Sequence, residues 1–238
     1  MKLDILAFGA HPDDVELGAG ATIAKEISLG KKVGIVDLTR GELGTRGSAD
    51  LRDVEAANAA RILGVSVREN VGFADGFFIN DKANQLEIIK MIRKYQPEIV
   101  LCNAIDDRHI DHSKGSKLVS DACFLSGLQK IETDFEGEKQ EKWRPKLVYH
   151  YMQWKNIEPD FVVDVSGFID IKMEAVLAYS SQFYDPNSKE LETPISSKNF
   201  TDSIQYRARE LGRLIGVDHA EGFTVERSIA VTSLDKLI

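Results

Sequence analysis

The stretch Leu3-Asp-Ile-Leu-Ala-Phe8, followed at once by Gly9-Ala-His-Pro-Asp-Asp14, decides the fold. Ile5, Leu6, Ala7 and Phe8 are apolar without alternation, as in a strand buried on both faces. Gly9 breaks the strand, and residues 15–29 then carry apolar side chains at helical spacing. The same alternation recurs downstream. Strands are predicted over 3–8, 32–38, 67–73 and 99–103, with helices over 15–29, 50–63 and 85–95. Gly64 stands where the second helix should stop, and Pro97 ends the third. A chain that alternates strands and helices in this way forms a parallel sheet covered by helices. The expected fold is α/β and Rossmann-like: a doubly wound, mostly parallel sheet in the order 3-2-1-4, with helices on both faces and a C-terminal elaboration.

After Asn103 the pattern continues with a polar loop, a helix over 113–128, and a charged stretch over 132–142 that reads as a solvated excursion. Further strands are expected over 146–152 and 161–165, and helices over 169–179 and 201–214. No Gly/Ser/Pro linker, internal repeat or low-complexity tract interrupts the 238 residues. The expected organisation is one domain over 1–238, with a core over 1–130 and an elaboration over 131–238.

Composition removes whole classes of function. With 43% hydrophobic and 29% charged residues the chain is globular. A net charge of -8 argues against a nucleic-acid partner, which calls for clustered Lys and Arg. Apolar runs fall far short of the roughly 20 residues that span a bilayer, so no membrane partner is expected. Cys102 and Cys123 are too few for a disulfide framework, and no leader-like segment opens the chain, which points to the cytoplasm.

Chemistry concentrates at two strand ends. The first strand delivers His11, Pro12, Asp13 and Asp14, and the fourth delivers Asp106, Asp107, Arg108, His109, Ile110, Asp111 and His112. Three of the five histidines therefore sit in two loops. In the order 3-2-1-4 the first and fourth strands are neighbours at the winding reversal, where ligands bind outside the carboxyl ends. Two imidazoles and a carboxylate make a catalytic zinc set with a place left for water, and an adjacent carboxylate can serve as base. Spacing leaves open which of Asp13 and Asp14 binds metal. Taken singly, the Asp pair could be a helix cap, and His109 with His112 an exposed loop. The glycines reject a dinucleotide site: Gly18 and Gly20 lie well past the strand and Ile23 occupies the third position. A metal-dependent phosphoesterase and a non-catalytic metal-binding module remain as rivals.

Ala10-His-Pro-Asp-Asp14 and His109-Ile-Asp-His112 together resemble the two signatures of the LmbE/PIG-L-type zinc-dependent sugar N-deacetylases. The resemblance runs on through Thr39-Arg-Gly-Glu-Leu-Gly-Thr-Arg-Gly-Ser48, Arg52-x-x-Glu55 and Leu63-Gly64. Ser181-Gln-Phe-Tyr-Asp-Pro186 and the segment from Gly212 to Gly222 are most similar to the bacillithiol-biosynthesis branch, which acts on N-acetylglucosaminyl malate. Ile110 replaces a Pro often found there. The resemblance implies one Zn²⁺ on His11, Asp14 and His112, with Asp13 as general base. It further implies a small N-acetylated amino-sugar glycoside as substrate and a homo-oligomer, a hexamer in close relatives; a general N-acetylglucosamine or chitooligosaccharide deacetylase is the alternative. On this reading His109 stabilises the oxyanion and protonates the leaving amine, and Asp111 orients the His109 ring. Arg46 and Arg52, in or after the glycine-rich loop, would meet an anionic aglycone, unless Arg52 simply pairs with Glu55. Tyr184 with Asp185-Pro186 reads as a surface turn, and His150 and His219 as structural or exposed.

Overall fold

The computed structural model describes residues 1–234. Four parallel strands, β1 (Ile5–Gly9), β2 (Val33–Thr39), β3 (Val67–Phe73) and β4 (Ile99–Cys102), alternate with helices α1 (Asp14–Ser28), α2 (Ala49–Leu63) and α3 (Lys82–Tyr95). They lie in the expected order β3-β2-β1-β4. Ile5 and Ala7 face one side and Leu6 and Phe8 the other, and all four are buried, so the strand must be apolar throughout. Beneath one face, Leu6, Phe8, Val36 and Val100 pack on Ile88, Ile92 and Leu118 of α3 and α4 (Ile110–Ser126). On the other, Ile5, Ala7 and Ile35 pack on Val15, Ala19 and Ile23 of α1 and Ala59 of α2.

Local signals set the ends. Ser48 accepts a hydrogen bond from Leu51 N at the start of α2, and Gly64 closes it at φ 78°, a left-handed value that suits glycine. Asp81 caps α3 by accepting from Asn84 N.

Residues beyond 130 extend the same sheet. The order continues through β7 (Leu147–Tyr151), parallel to β4, then β9 (Ala220–Val225) and β8 (Phe161–Asp164), each antiparallel to its neighbour. α5 (Ile169–Leu177) joins α1 and α2, and α6 (Lys198–Ile215) lies over β9.

Two expectations need correction, and one strand was not expected. The charged stretch folds as a small hairpin of β5 (Asp134–Phe135) and β6 (Glu138–Lys139), turned by Glu136 and Gly137 at positive φ, and Phe135 packs on the core. β9 is a strand although Glu221 and Gly222 interrupt its apolar run; Glu221 is buried because it pairs with Lys172 at 2.6 Å. α4 begins at Ile110 rather than Ser113, which puts Asp111 and His112 in its first turn.

Candidate active site

β1 and β4 pair directly, so the loops after them meet above the sheet. Asp13 turns the chain from β1 into α1 with φ 109° and ψ -25°, strained for a non-glycine residue. It does not cap the helix: among the described residues its carboxylate makes no hydrogen bond. Asp14 does not cap it either, and accepts instead from His11 N at 2.9 Å. His109 is the N-cap of α4, where its Nδ1 accepts from Asp111 N at 3.2 Å. The imidazole rings converge, with centroids 4.6 Å apart for His11 and His109, 5.1 Å for His109 and His112, and 5.6 Å for His11 and His112.

The two strand-end loops thus bring together His11, Asp13, Asp14, His109 and His112 on the wall of one cavity of about 650 Å³. His112 Nε2 lies 3.0 Å from Asp14 Oδ1, and His11 Nδ1 lies 3.5 Å from Asp14 Oδ2. The other nitrogen of each ring rests on carboxylates. His112 Nδ1 is 2.5 Å from Asp107, and His11 Nε2 is 3.1 Å from Asp75 and 3.4 Å from Asp111. An imidazole held from behind by a carboxylate offers its front lone pair to a metal, so the donor set fits a divalent ion. Among the described residues, ring nitrogens of His11, His109 and His112 lie within 4.8 Å of one another, and so do ligand atoms of His11, Asp75 and Asp111; either group could hold an ion.

Electrostatics separate the members of the cluster. Burial pushes the Asp13 carboxyl up to about 7; Arg52 opposes this and the adjacent Asp14 charge adds to it. Burial pulls His112 down, but Asp14 and Asp107 outweigh it and raise the ring to about 9. Burial also disfavours charge on His11, where hydrogen bonds to Asp111, Asp14 and Asp75 prevail and raise it. His109 is depressed, first by burial and then by the charges of His11 and His112. It is therefore a neutral ring whose Nδ1 accepts, leaving the proton on Nε2.

Two expected roles do not match the placement. The Asp111 carboxylate does not touch the His109 ring; it accepts from Gly76 N at 2.7 Å and Lys114 Nζ at 3.2 Å and stands behind His11. Asp111 meets His109 through its backbone N–H alone, because the first turn of α4 points the side chain away. The Arg46 guanidinium bonds Glu190 at 3.1 Å and Ser188 at 2.6 Å and is not among the side chains lining the cavity. Its partners come from the C-terminal elaboration.

Arg52 does line the cavity. It is 6% exposed, yet among the described residues its guanidinium has no hydrogen bond and no carboxylate within 4 Å. It lies against the glycine-rich loop: a Cβ at Gly41 would collide with it, and one at Gly44 would come within 2.6 Å of Nη2. Glu55 is not its partner, being held by Ser180 Oγ, Ser181 N and Ser181 Oγ. Tyr184 is exposed and outside the cavity, whereas Gln182 lines it. His150 is buried, hydrogen-bonded to Asn103 O and Glu226.

Sequence reasoning passed over Asp75, Asn103 and Gln153, and gave Asp107 no part in the zinc set. Asp107 was within reach as the acidic residue five positions before His112. Arg108, which also lines the cavity, stacks on Trp154 with its guanidinium carbon 4.4 Å from the ring centre.

Residues 6–123 match the PIG-L family, GlcNAc-PI de-N-acetylase. The chain is 41% identical over 163 residues to the uncharacterized deacetylase YaiS of Escherichia coli (strain K12), covering 60% of this chain and 86% of that protein. It is 30% identical over 189 residues to the diacetylchitobiose deacetylase of Thermococcus kodakarensis, covering 75% and 70%. Its structure superposes on the conserved protein TT1542 from Thermus thermophilus with a TM-score of 0.86 at 35% identity, over 98% of both chains. With two histidine loops at adjoining strand ends and relatives of this closeness, the chain belongs to the PIG-L family of de-N-acetylases.

Proposed function

We propose that this protein is a zinc-dependent hydrolase that removes the acetyl group from an N-acetylglucosaminyl glycoside, with N-acetylglucosaminyl malate of bacillithiol biosynthesis as its substrate. The observation that carries the reaction is the approach of His11 Nδ1 and His112 Nε2 to the two oxygens of Asp14, with the unbonded carboxylate of Asp13 beside them; on this reading His11, Asp14 and His112 would hold the ion. A divalent ion there would supply a water of lowered pKa and a Lewis acid for the acetamide carbonyl.

The chain's own groups then move the protons. Asp13 takes a proton from the attacking water as the oxygen–carbon bond forms. His109 donates from Nε2 to the developing oxyanion. Being neutral, it would become an imidazolate if it gave that proton away, so the amine receives its proton from Asp13 as the carbon–nitrogen bond breaks. Acetic acid and the free amine leave, Asp13 is again a carboxylate, and the acid's proton passes to the released amine to give acetate and an ammonium group in water.

The malyl group is supported by Arg52, a buried cation on the cavity wall with no partner of its own among the described residues, which suits a carboxylate. The cavity also has room for a second sugar, which keeps a chitooligosaccharide as the alternative substrate. We further propose a homo-oligomer, a hexamer as the family resemblance implies, working in the cytoplasm, in keeping with two buried free thiols. No described helix is long and apolar enough to cross a membrane.

Zinc-loaded protein is to be assayed for free amine from the malyl glycoside, N-acetylglucosamine and chitin oligomers. The malyl glycoside is expected to be cleaved fastest. Phosphate from a phosphoester panel, with no amine from any glycoside, overturns the deacetylase reading.

A further inference from the structure

Three adjacent strands, β1, β4 and β7, end on the same side of the sheet, and each contributes one polar residue to a single buried knot. These are Asp14 after β1, Asn103 after β4 and Gln153 after β7. Asn103 is fully buried and Gln153 is 6% exposed. Asn103 Nδ2 donates to Asp14 Oδ2 at 2.9 Å, and Gln153 Nε2 donates to Asp14 Oδ1 at 2.9 Å. The two amides are joined to each other, Asn103 Nδ2 donating to Gln153 Oε1 at 3.0 Å.

Backbone groups fix which way each amide faces. Asn103 Oδ1 accepts from Ala10 N at 2.9 Å, and Gln153 Oε1 accepts from Ala104 N at 3.1 Å. Flipping either amide would set a carbonyl oxygen against the Asp14 carboxylate and an NH₂ group against a backbone N–H. The NH₂ groups are therefore directed at Asp14 by the ends of the sheet itself.

We infer that Asn103 and Gln153 are positioning residues for Asp14: together they clasp both carboxylate oxygens and set the direction in which Asp14 meets a metal. The inference rests on the proposed metal centre of His11, Asp14 and His112. A carboxylate turns freely about its last torsion unless both oxygens are held. Here they are held so that Oδ1 lies 3.0 Å from His112 Nε2. Neutral donors suit this task, since Lys or Arg in their place would pair with Asp14 and offset its charge, weakening its pull on the ion. Neither amide can exchange a proton near neutral pH, so their contribution is orientation.

The test is Zn²⁺ affinity, measured on metal-free protein by competition with a chromophoric chelator, alongside the melting temperature of the same metal-free protein. Gln153→Met keeps the length of the side chain and removes the donor. It is expected to raise the Zn²⁺ Kd about 10- to 100-fold, the usual effect of losing an outer partner of a ligand, with the metal-free melting temperature close to wild type. Asn103→Ala is expected to act in the same direction and to lower stability as well, because Ala10 N loses its acceptor. If Gln153→Met fails to fold, Gln153→Asn, which keeps an amide one methylene short of Asp14, is read by the same criterion. An unchanged Kd in the folded variant overturns the inference. Wild-type protein that binds no Zn²⁺, or His112→Ala that binds it as wild type does, overturns the metal centre instead.

Discussion

Asp107 stands behind His112, its Oδ2 2.5 Å from Nδ1, while the opposite ring nitrogen faces Asp14 at 3.0 Å. The two contacts leave His112 one orientation. Asp107 is itself held by Lys155 N at 2.8 Å, so the ring is tied to the loop after β7. Asp107→Ala releases the ring, and Zn²⁺ affinity is expected to fall about 10- to 100-fold by chelator competition. Affinity equal to wild type would show that the pair is not part of the metal centre.

Asp13 is the complement of this arrangement, a buried carboxylate with no hydrogen bond among the described residues and an acidity pushed up to about 7 by burial. Such a group is poised to exchange a proton near neutral pH. Asp13→Asn is expected to retain bound Zn²⁺ and to lower the rate of amine release by about two to four orders of magnitude. Metal content and turnover are to be measured on the same sample. Loss of Zn²⁺ from Asp13→Asn, with retention in His112→Ala, would reverse the assignment of ligand and base.

Arg52 is a buried cation on the cavity wall, without an ion pair among the described residues, and the bare glycines at 41 and 44 leave room for it; the proposed anionic substrate would meet it there. A charged hydrogen bond contributes about 1.5–3 kcal/mol, or roughly a 10- to 100-fold effect. Arg52→Ala is therefore expected to lower kcat/KM on the malyl glycoside by that factor and to spare a neutral N-acetylglucosaminide. Gly41→Ala, whose methyl group displaces the guanidinium, should give a weaker version of the same pattern. Equal losses on both substrates would place Arg52 at the sugar rather than the aglycone.

The sheet order and the histidine loops were legible because each is a local event: an apolar run that stops at Gly9 or at Asn103, then His and Asp residues within the next nine positions. Parallel strands buried on both faces announce themselves this way, as at Ile5 and Val100. β9 did not, since its Glu221 is tolerated through Lys172, 49 positions away, and through the backbone N–H groups of Ala21 and Thr22, 200 and 199 positions away. The groups that hold the metal ligands were hidden for the same reason. Asp75 reaches His11 across 64 positions and Gln153 reaches Asp14 across 139, so nothing local marks them. Arg46 shows the opposite error. Its place in the glycine-rich loop suggested the cavity, and the distant Ser188 and Glu190 claimed it.

Beneath the site, Arg68 bonds Asp37 through Nε at 2.7 Å and Nη2 at 2.9 Å, and pairs with Glu16 through Nη1. Tyr179 donates to the same Glu16 oxygen at 3.1 Å. Two buried carboxylates thus share one guanidinium. Burial pushes Asp37 up to about 6 against the pull of Arg68, and the charges of Glu16 and Asp14 add to the rise. A carboxyl whose folded value is raised binds its proton more tightly in the folded state. Its contribution to stability is complete below the unfolded value near 3.8 and is lost as pH rises through about 6. The shift of roughly two units corresponds to about 3 kcal/mol. Asp37→Asn cannot take up that proton. On going from pH 7 to pH 4, the unfolding free energy of wild type should therefore gain about 2 kcal/mol relative to Asp37→Asn, most of the full effect. Urea unfolding of both metal-free proteins at the two pH values gives the difference, in which the titrations they share cancel. A difference that stays constant, or moves toward the variant at low pH, would mean that Arg68 keeps Asp37 ionised throughout.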